Sequence, residues 1–163
     1  MTTEPRPKFT PEIALAAARL VVADLMEGSH LVEDADVEKH AKDIAKHARQ
    51  HADGYEIAKA LDIYCYWNCT FEVAEILNSY SSAVDTLIQK AQKEWAARND
   101  VQPPLPVGTR VKTKDGETGI IDQVYEYGAA QFCVKLDNDP RENSRRIVNF
   151  EDALPLRMAP KKR

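Results

Sequence analysis

The chain has 163 residues, of which 44% are hydrophobic and 29% are charged, and its formal net charge is −4. This length can build one sizeable core or two small ones, and we interpret it as two. Residues 1–103 carry 11 Lys or Arg against 17 Asp or Glu, which argues against general nucleic-acid binding because phosphate contacts dominate that affinity.

The sequence predicts a soluble cytoplasmic protein with no membrane association. Residues 1–8 lack the apolar core of a secretory signal, and the longest apolar region, 13–26, is interrupted by Arg19 and Asp24. The chain has three cysteines. This odd number, in no disulfide-scaffold pattern, fits a reducing compartment.

Two helices are predicted in the first part of the chain. Thr10 is a suitable N-cap with a proline directly after it, and Gly28 follows the last periodic residues. The second helix is predicted to start at Asp34 or Asp36 and to run to about Ala52. Each helix has one apolar stripe, which indicates packing against a neighbouring helix.

The second helix carries His40, His47 and His51 on one side of a helical wheel. A spacing of two or more turns is too long for one ion, and no HExxH pair is present. Only His47 and His51, four residues apart, leave a two-ligand surface site open. We favour a polar margin beside the core or an interface face, with no metal and no cofactor.

A third helix, predicted over 54–68, is apolar on most of its faces, which is typical of a helix buried on several sides. Cys65 and Cys69 do not form the CxxC pair that zinc and thiol redox sites use. We interpret them as two buried thiols.

The next stretch has a suitable N-cap in Thr70, inward-facing Val73, Ala74 and Leu77, and Asn78 at a turn, where asparagine tolerates a left-handed conformation. Residues 70–89 therefore resemble a repressor-type helix-turn-helix. The resemblance implies DNA contacts from the second helix, through Ser81, Ser82, Thr86 and Gln89. No arginine, the commonest base reader, lies there. Ordinary helical packing is the alternative that we favour.

The helix is predicted to continue through Arg98, and a protruding end could form a homodimer through the helical domain. Pro103, Pro104 and Pro106 end it, because proline lacks a donor N–H and restricts the residue before it. Residues 101–106 are thus predicted to be a proline-rich linker.

Four or five short strands with Gly- and Asp-rich turns are predicted beyond the linker. The opening segment 107–111, the turn segment 115–121 and the closing segment 150–154 resemble the SH3-like small barrels of the KOW and Tudor types. The resemblance implies a closed barrel, and such barrels bind proline-rich peptides, modified tails, RNA or another domain of the same chain.

A cationic stripe is predicted on the first strand of this barrel. Arg110, Lys112 and Lys114 alternate with apolar or β-branched residues, so all three would point to one face. Their spacing is close to the phosphate repeat of an extended nucleic-acid strand, with Tyr125 and Tyr127 as candidate stacking groups. A solvated strand that discourages edge pairing is the alternative.

We therefore predict an α+β protein: a helical bundle of about four or five helices over 1–100, the linker 101–106, an SH3-like barrel over 107–157 and a basic tail over 158–163. No phosphate-binding loop, nucleophile elbow or Cys–His pairing is recognisable, so we expect no enzyme. The favoured function is a protein-binding adaptor or inhibitor, of the kind that phages and mobile elements encode. The competing hypothesis is a DNA- or RNA-associated regulator.

Overall fold

The computed structural model describes residues 4–28 and 36–156. Its chain divides into two compact units, Arg6–Ala91 and a second unit that contains the described residues 4–5 and 92–156. The first is helical and the second is built around an antiparallel sheet, which confirms the α+β class. Two predictions, the basic tail 158–163 and a helix start at Asp34, lie outside the described residues.

Five helical segments are described: α1 Pro11–Gly28, α2 Val37–His47, α3 Gly54–Cys65, α4 Phe71–Leu77 and α5 Ser79–Arg98. The Thr10 cap is confirmed, because its hydroxyl accepts the Ile13 N–H at 3.3 Å. The Thr70 cap is confirmed in the same way by the Val73 N–H. Within the described residues, no helix combines the length and apolar character that crossing a membrane would require.

Two predicted helix ends are wrong. The second helix stops at His47 instead of Ala52, because Ala48 is extended with ψ 131° and Asp53 already caps the next helix by accepting the Glu56 N–H at 2.8 Å. The third helix stops at Cys65 instead of residue 68, because Tyr66 adopts the left-handed conformation.

The core of the helical unit is a continuous apolar cluster that all five helical segments supply. Small residues of α1, such as Ala17 and Ala18, are fully buried in it, which allows the close helix packing that the sequence indicates. Tyr80, at the start of α5, is also fully buried in this cluster.

The hydroxyl of Tyr80 has no hydrogen-bond partner among the described residues. Tyr80→Phe is therefore expected to raise the melting temperature by a few degrees, since removing a buried unpaired hydroxyl is worth about 1 kcal/mol. Tyr127→Phe, at an exposed tyrosine, is the matched control and should change nothing. A lower melting temperature for Tyr80→Phe would mean that the hydroxyl is hydrogen-bonded in solution.

Burial also raises the pKa of Tyr80, so the folded protein holds the phenol proton more tightly than the unfolded chain. The raised pKa of Tyr80 contributes to the free energy of unfolding. This contribution is complete at pH values below the unfolded-state pKa of about 10 and is lost as the pH rises through the folded-state pKa. The stability difference between Tyr80→Phe and the parent should therefore widen at alkaline pH. Thermal unfolding at neutral and alkaline pH measures that difference.

The second unit contains a curled sheet in the order β4-β3-β2-β1-β5, with every neighbouring pair antiparallel. The strands are β1 Arg110–Lys112, β2 Thr118–Val124, β3 Gln131–Leu136, β4 Arg146–Asn149 and β5 Leu154–Pro155. A 3-10 turn, Phe150–Asp152, joins the last two. β2 has an irregularity between Ile121 and Gln123, where the register with β3 shifts.

The core of the sheet is small and centres on Phe132 and Phe150, whose ring centroids lie 4.3 Å apart. Val101 and Leu105, within the predicted linker, pack against this core. The compact units divide between Ala91 and Gln92, inside α5. Domain boundaries at residues 100 and 107 stay a prediction.

Candidate functional site

The strand that carries the predicted cationic stripe is shorter, and the stripe less charged, than the sequence indicates. β1 ends at Lys112, and Lys114 lies in the following turn, which is closed by a hydrogen bond from the Gly116 N–H to the Thr113 carbonyl. Exposed and buried positions still alternate through the buried Thr113 to the exposed Lys114, so a shared face for all three cations stays a prediction. Arg110 is paired with Asp137 at 2.5 Å, so its charge is already neutralised within the sheet unit.

The other arginines described in the sheet unit are also paired. Arg145 contacts Asp122 at 2.6 Å, and Arg146 bridges two carboxylates, Asp115 and Glu117. Arg141 binds Asp139 through two guanidinium nitrogens, and hydrogen bonds from Arg141 hold the pKa of that carboxyl well below its usual range. Lys112 and Lys114 remain as exposed cations for which the described residues supply no ion pair.

The two candidate stacking residues do contact each other. The rings of Tyr125 and Tyr127 meet edge to face with centroids 5.7 Å apart, and Tyr127 is 76% exposed. They follow the end of β2, whereas Lys112 pairs with Thr118 at its start. A strand of this length spans about 20 Å, so the cations and the tyrosines do not form one compact contact surface.

The joint between α4 and α5 differs from a helix-turn-helix turn. Asn78 is the single residue between them, and its φ of −58° and ψ of −25° are right-handed helical. The expected left-handed turn at Asn78 is therefore wrong. The Asn78 side chain has a structural role instead. Its Oδ1 accepts the Gly54 N–H at 2.7 Å and so links the joint to the start of α3.

The candidate DNA-contacting residues of α5 do not form one polar face. Ser82, Thr86 and Gln89 are exposed, whereas Ser81 is half-buried. The Thr86 hydroxyl donates to the Ser82 carbonyl at 2.9 Å. Ser82 and Thr86 instead line a groove of about 330 Å³ that also contacts Leu20 and Asp24 of α1. An apolar side chain and a carboxylate in this position do not favour contact with phosphates.

The histidines of α2 contact aromatic rings of the α3 region. The His40 ring lies 4.5 Å from that of Trp67, and His47 stacks on Tyr64 at 5.0 Å. Because α2 ends at His47, His51 is not one helical turn beyond it, so the geometric basis for a His47–His51 pair is wrong. No group of three or more metal-ligating side chains occurs among the described residues.

The cysteines of the helical unit are half-buried and poor nucleophiles. Burial, assisted by Asp62, raises the pKa of Cys69 to about 12. Burial and Asp43 also raise the pKa of Cys65. Both thiols therefore stay protonated near neutral pH, and thiolate is the reactive form.

α3, the segment after it and the start of α4 carry several exposed aromatic and aliphatic side chains. Tyr55 is 58% and Phe71 62% exposed, and their rings meet edge to face at 6.2 Å. Ile63 and Tyr66 are exposed as well, Tyr66 at 82%. We call these four residues, Tyr55, Ile63, Tyr66 and Phe71, the aromatic surface.

The segment after α3 is held in an uncommon conformation. Tyr66 has φ 59° and Asn68 φ 55°, a region that residues other than glycine rarely occupy. Asp62 fixes this segment by accepting the Cys69 N–H at 2.7 Å. Strained backbone that presents an exposed side chain is more frequent at functional sites than elsewhere.

The sequence interpretation missed the aromatic surface. α3 was expected to be buried on several sides, whereas its buried residues are Gly54, Ile57, Ala58 and Leu61, and Tyr55, Ile63 and Tyr64 are exposed. The available signal was the number of apolar residues on α3, which exceeds what one side of a helix can bury.

No family model, curated protein or solved structure matches the chain. Function must therefore be argued from the geometry of the described residues.

The aromatic surface combines three exposed rings with one aliphatic side chain. Aromatic side chains are enriched at the centres of protein interfaces.

Proposed function

We propose that this chain is a non-enzymatic protein-binding adaptor or inhibitor and that the aromatic surface is its principal contact. The exposed Tyr55–Phe71 ring pair is the observation that carries the proposal. Two rings that already contact each other lose little conformational freedom on binding, so more of the free energy of burial is available for affinity.

We also propose that the sheet is an SH3-like small barrel that serves as a second recognition module. The support is the strand order, in which the last strand, β5, pairs with the first strand, β1, on the side away from β2. The edge strand β5 is only two residues long, which limits edge-to-edge aggregation.

The alternative, binding to DNA or RNA, is supported by Lys112 and Lys114 with the exposed Tyr127 ring. We favour protein binding because Arg110, Arg145 and Arg146 are paired with carboxylates of the same unit. Releasing these pairs would offset part of the free energy gained from phosphate contacts.

Selection of peptides from a random display library on the full chain tests the proposal. We expect selected peptides to bind the parent and to lose at least about 10-fold in affinity on the double variant Tyr55→Gln/Phe71→Gln, since buried aromatic residues dominate interface energies. Both positions are exposed, so the variant should keep the parent's melting temperature.

Tyr127→Gln is the matched control, because it also removes an exposed ring. Peptides that bind the double variant as well as the parent would overturn the assignment of this surface. The same would follow if only Tyr127→Gln lost binding. A library that yields no binder, together with a salt-sensitive gel shift of duplex or single-stranded DNA, would replace the proposal with the nucleic-acid alternative.

A further inference from the structure

The helices that carry the aromatic surface have more exposed carboxylates than exposed cations. The segments α3 and α4 with their N-caps carry five of them and one exposed cation, Lys59. The carboxylates are Asp53, Glu56, Asp62, Glu72 and Glu75.

Several carboxylates elsewhere in the described residues are already paired with an arginine, although others, such as Glu94 and Glu126, are not. In the sheet unit, Asp115, Asp122 and Asp137 are each paired with an arginine, and in the helical unit Glu38 is paired with Arg19 at 2.9 Å. Within the described residues no salt bridge engages the five carboxylates of α3, α4 and their N-caps.

The geometry points to a more specific partner, an inference that rests on the proposed function. We infer that the aromatic surface binds a cationic, arginine-containing segment of a protein partner. The exposed faces of Tyr55 and Phe71 would receive guanidinium groups, and carboxylates of the same helices would pair with them.

Arginine fits both parts of this surface. Its planar guanidinium stacks on aromatic faces and also forms bidentate hydrogen bonds with carboxylates, whereas the lysine ammonium is a compact, strongly hydrated charge. A neutral apolar partner would cover the rings but would also desolvate carboxylates such as Glu56 and Glu75 without pairing them. An acidic partner, including a nucleic acid, would be repelled.

The position of the charges supports the same occupant. Glu75 lies four residues after Phe71 and so shares its helix face. On α3, Lys59 shares the face of Tyr55 and opposes a cation there, and Asp62, which accepts the Cys69 N–H, lies about two turns further along. A guanidinium over the Phe71 ring would therefore face the Glu75 carboxylate of α4.

The test starts from peptides that the display selection recovers on the full chain. We expect them to carry net positive charge with arginine enriched over lysine. Synthetic copies with every arginine replaced by glutamine should bind at least about 10-fold more weakly, and lysine copies should be intermediate.

The protein side is tested with Glu56→Gln/Glu75→Gln, which keeps both rings and removes two charges. We expect this variant to bind the arginine peptides about 5-fold more weakly at low ionic strength and to show a flatter salt dependence. Glu94→Gln/Glu126→Gln is the matched control, because it also removes two exposed carboxylates and changes the net charge equally. It should bind like the parent.

The outcomes separate this inference from the proposed function. Neutral or acidic peptides that nevertheless lose binding on Tyr55→Gln/Phe71→Gln would overturn the arginine inference and leave protein binding by the aromatic surface intact. If Glu56→Gln/Glu75→Gln and Glu94→Gln/Glu126→Gln lost the same affinity, overall net charge would account for the effect. That result would also overturn the arginine inference. Peptides unaffected by the ring substitutions would overturn the proposed contact surface itself.

Discussion

Gly54→Ala is expected to lower the free energy of unfolding by at least about 3 kcal/mol, the upper range for overpacking a tight core contact. A Cβ at this position would lie 1.9 Å from the Ala74 carbonyl oxygen and 2.7 Å from the Asn78 backbone nitrogen. Both atoms belong to backbone, so no side-chain rotation relieves the overlap. The start of α3 would have to move away from α4.

That movement would also break the hydrogen bond from the Gly54 N–H to Asn78 Oδ1. Asn78→Ala removes the same bond without overlap and should cost about 1 kcal/mol, the usual effect of losing one cap. The difference between the two variants therefore isolates the steric contribution. Urea unfolding followed by far-UV circular dichroism measures both.

Gly108→Ala is the matched control, because a Cβ there meets nothing within 4 Å. Its φ of +88° still makes alanine cost about 1 kcal/mol through backbone strain alone. If Gly54→Ala were no more destabilising than Gly108→Ala, α3 and α4 would not cross at this point in solution.

The close contact at Gly54 also shows where sequence interpretation succeeds and where it fails. The caps at Thr10 and Thr70 were predictable because a cap depends on residues three positions apart. Asn78 was assigned to a left-handed turn by the same local reasoning. Its actual role is a hydrogen bond to a residue 24 positions earlier, and no local pattern contains that information.

The charged residues of the sheet illustrate the same limit. Alternation along β1 correctly predicted that Arg110 and Lys112 are exposed around the buried Val111. It did not predict that Asp137 would neutralise Arg110, because strand pairing determines which side chains meet. Likewise, the composition of α3 showed an excess of apolar residues, but only tertiary packing decided that Tyr55, Ile63 and Tyr64 are exposed.

Phe132→Ala is expected to have the largest effect on the sheet unit, about 3–5 kcal/mol, because it removes a fully buried ring from a well-packed core. Phe132 is inaccessible to solvent, and its main aromatic neighbour is Phe150 at 4.3 Å. The sheet core contains only seven buried residues. Small units have only a few kcal/mol of net stability, so this loss should unfold much of the sheet at physiological temperature.

Hydrogen exchange followed by mass spectrometry measures the effect in each unit separately. In Phe132→Ala, amides of β2, β3 and β4 should exchange faster, whereas those of α1 and α3 should keep their protection. Leu61→Ala, at a fully buried position of the helical core, is the matched control. It should cost about 2–5 kcal/mol and show the reverse pattern.

This pair of variants also tests the predicted domain organisation. Two buried clusters with no shared residue are expected to unfold in separate transitions, and limited proteolysis of Phe132→Ala should then cut first within 101–106 or the sheet. Loss of protection in both units from either substitution would show a single cooperative unit instead. Val101 and Leu105 of the predicted linker pack on the sheet core that contains Phe132. In Phe132→Ala, the hydrogen-exchange protection of the linker amides should therefore fall together with that of β3.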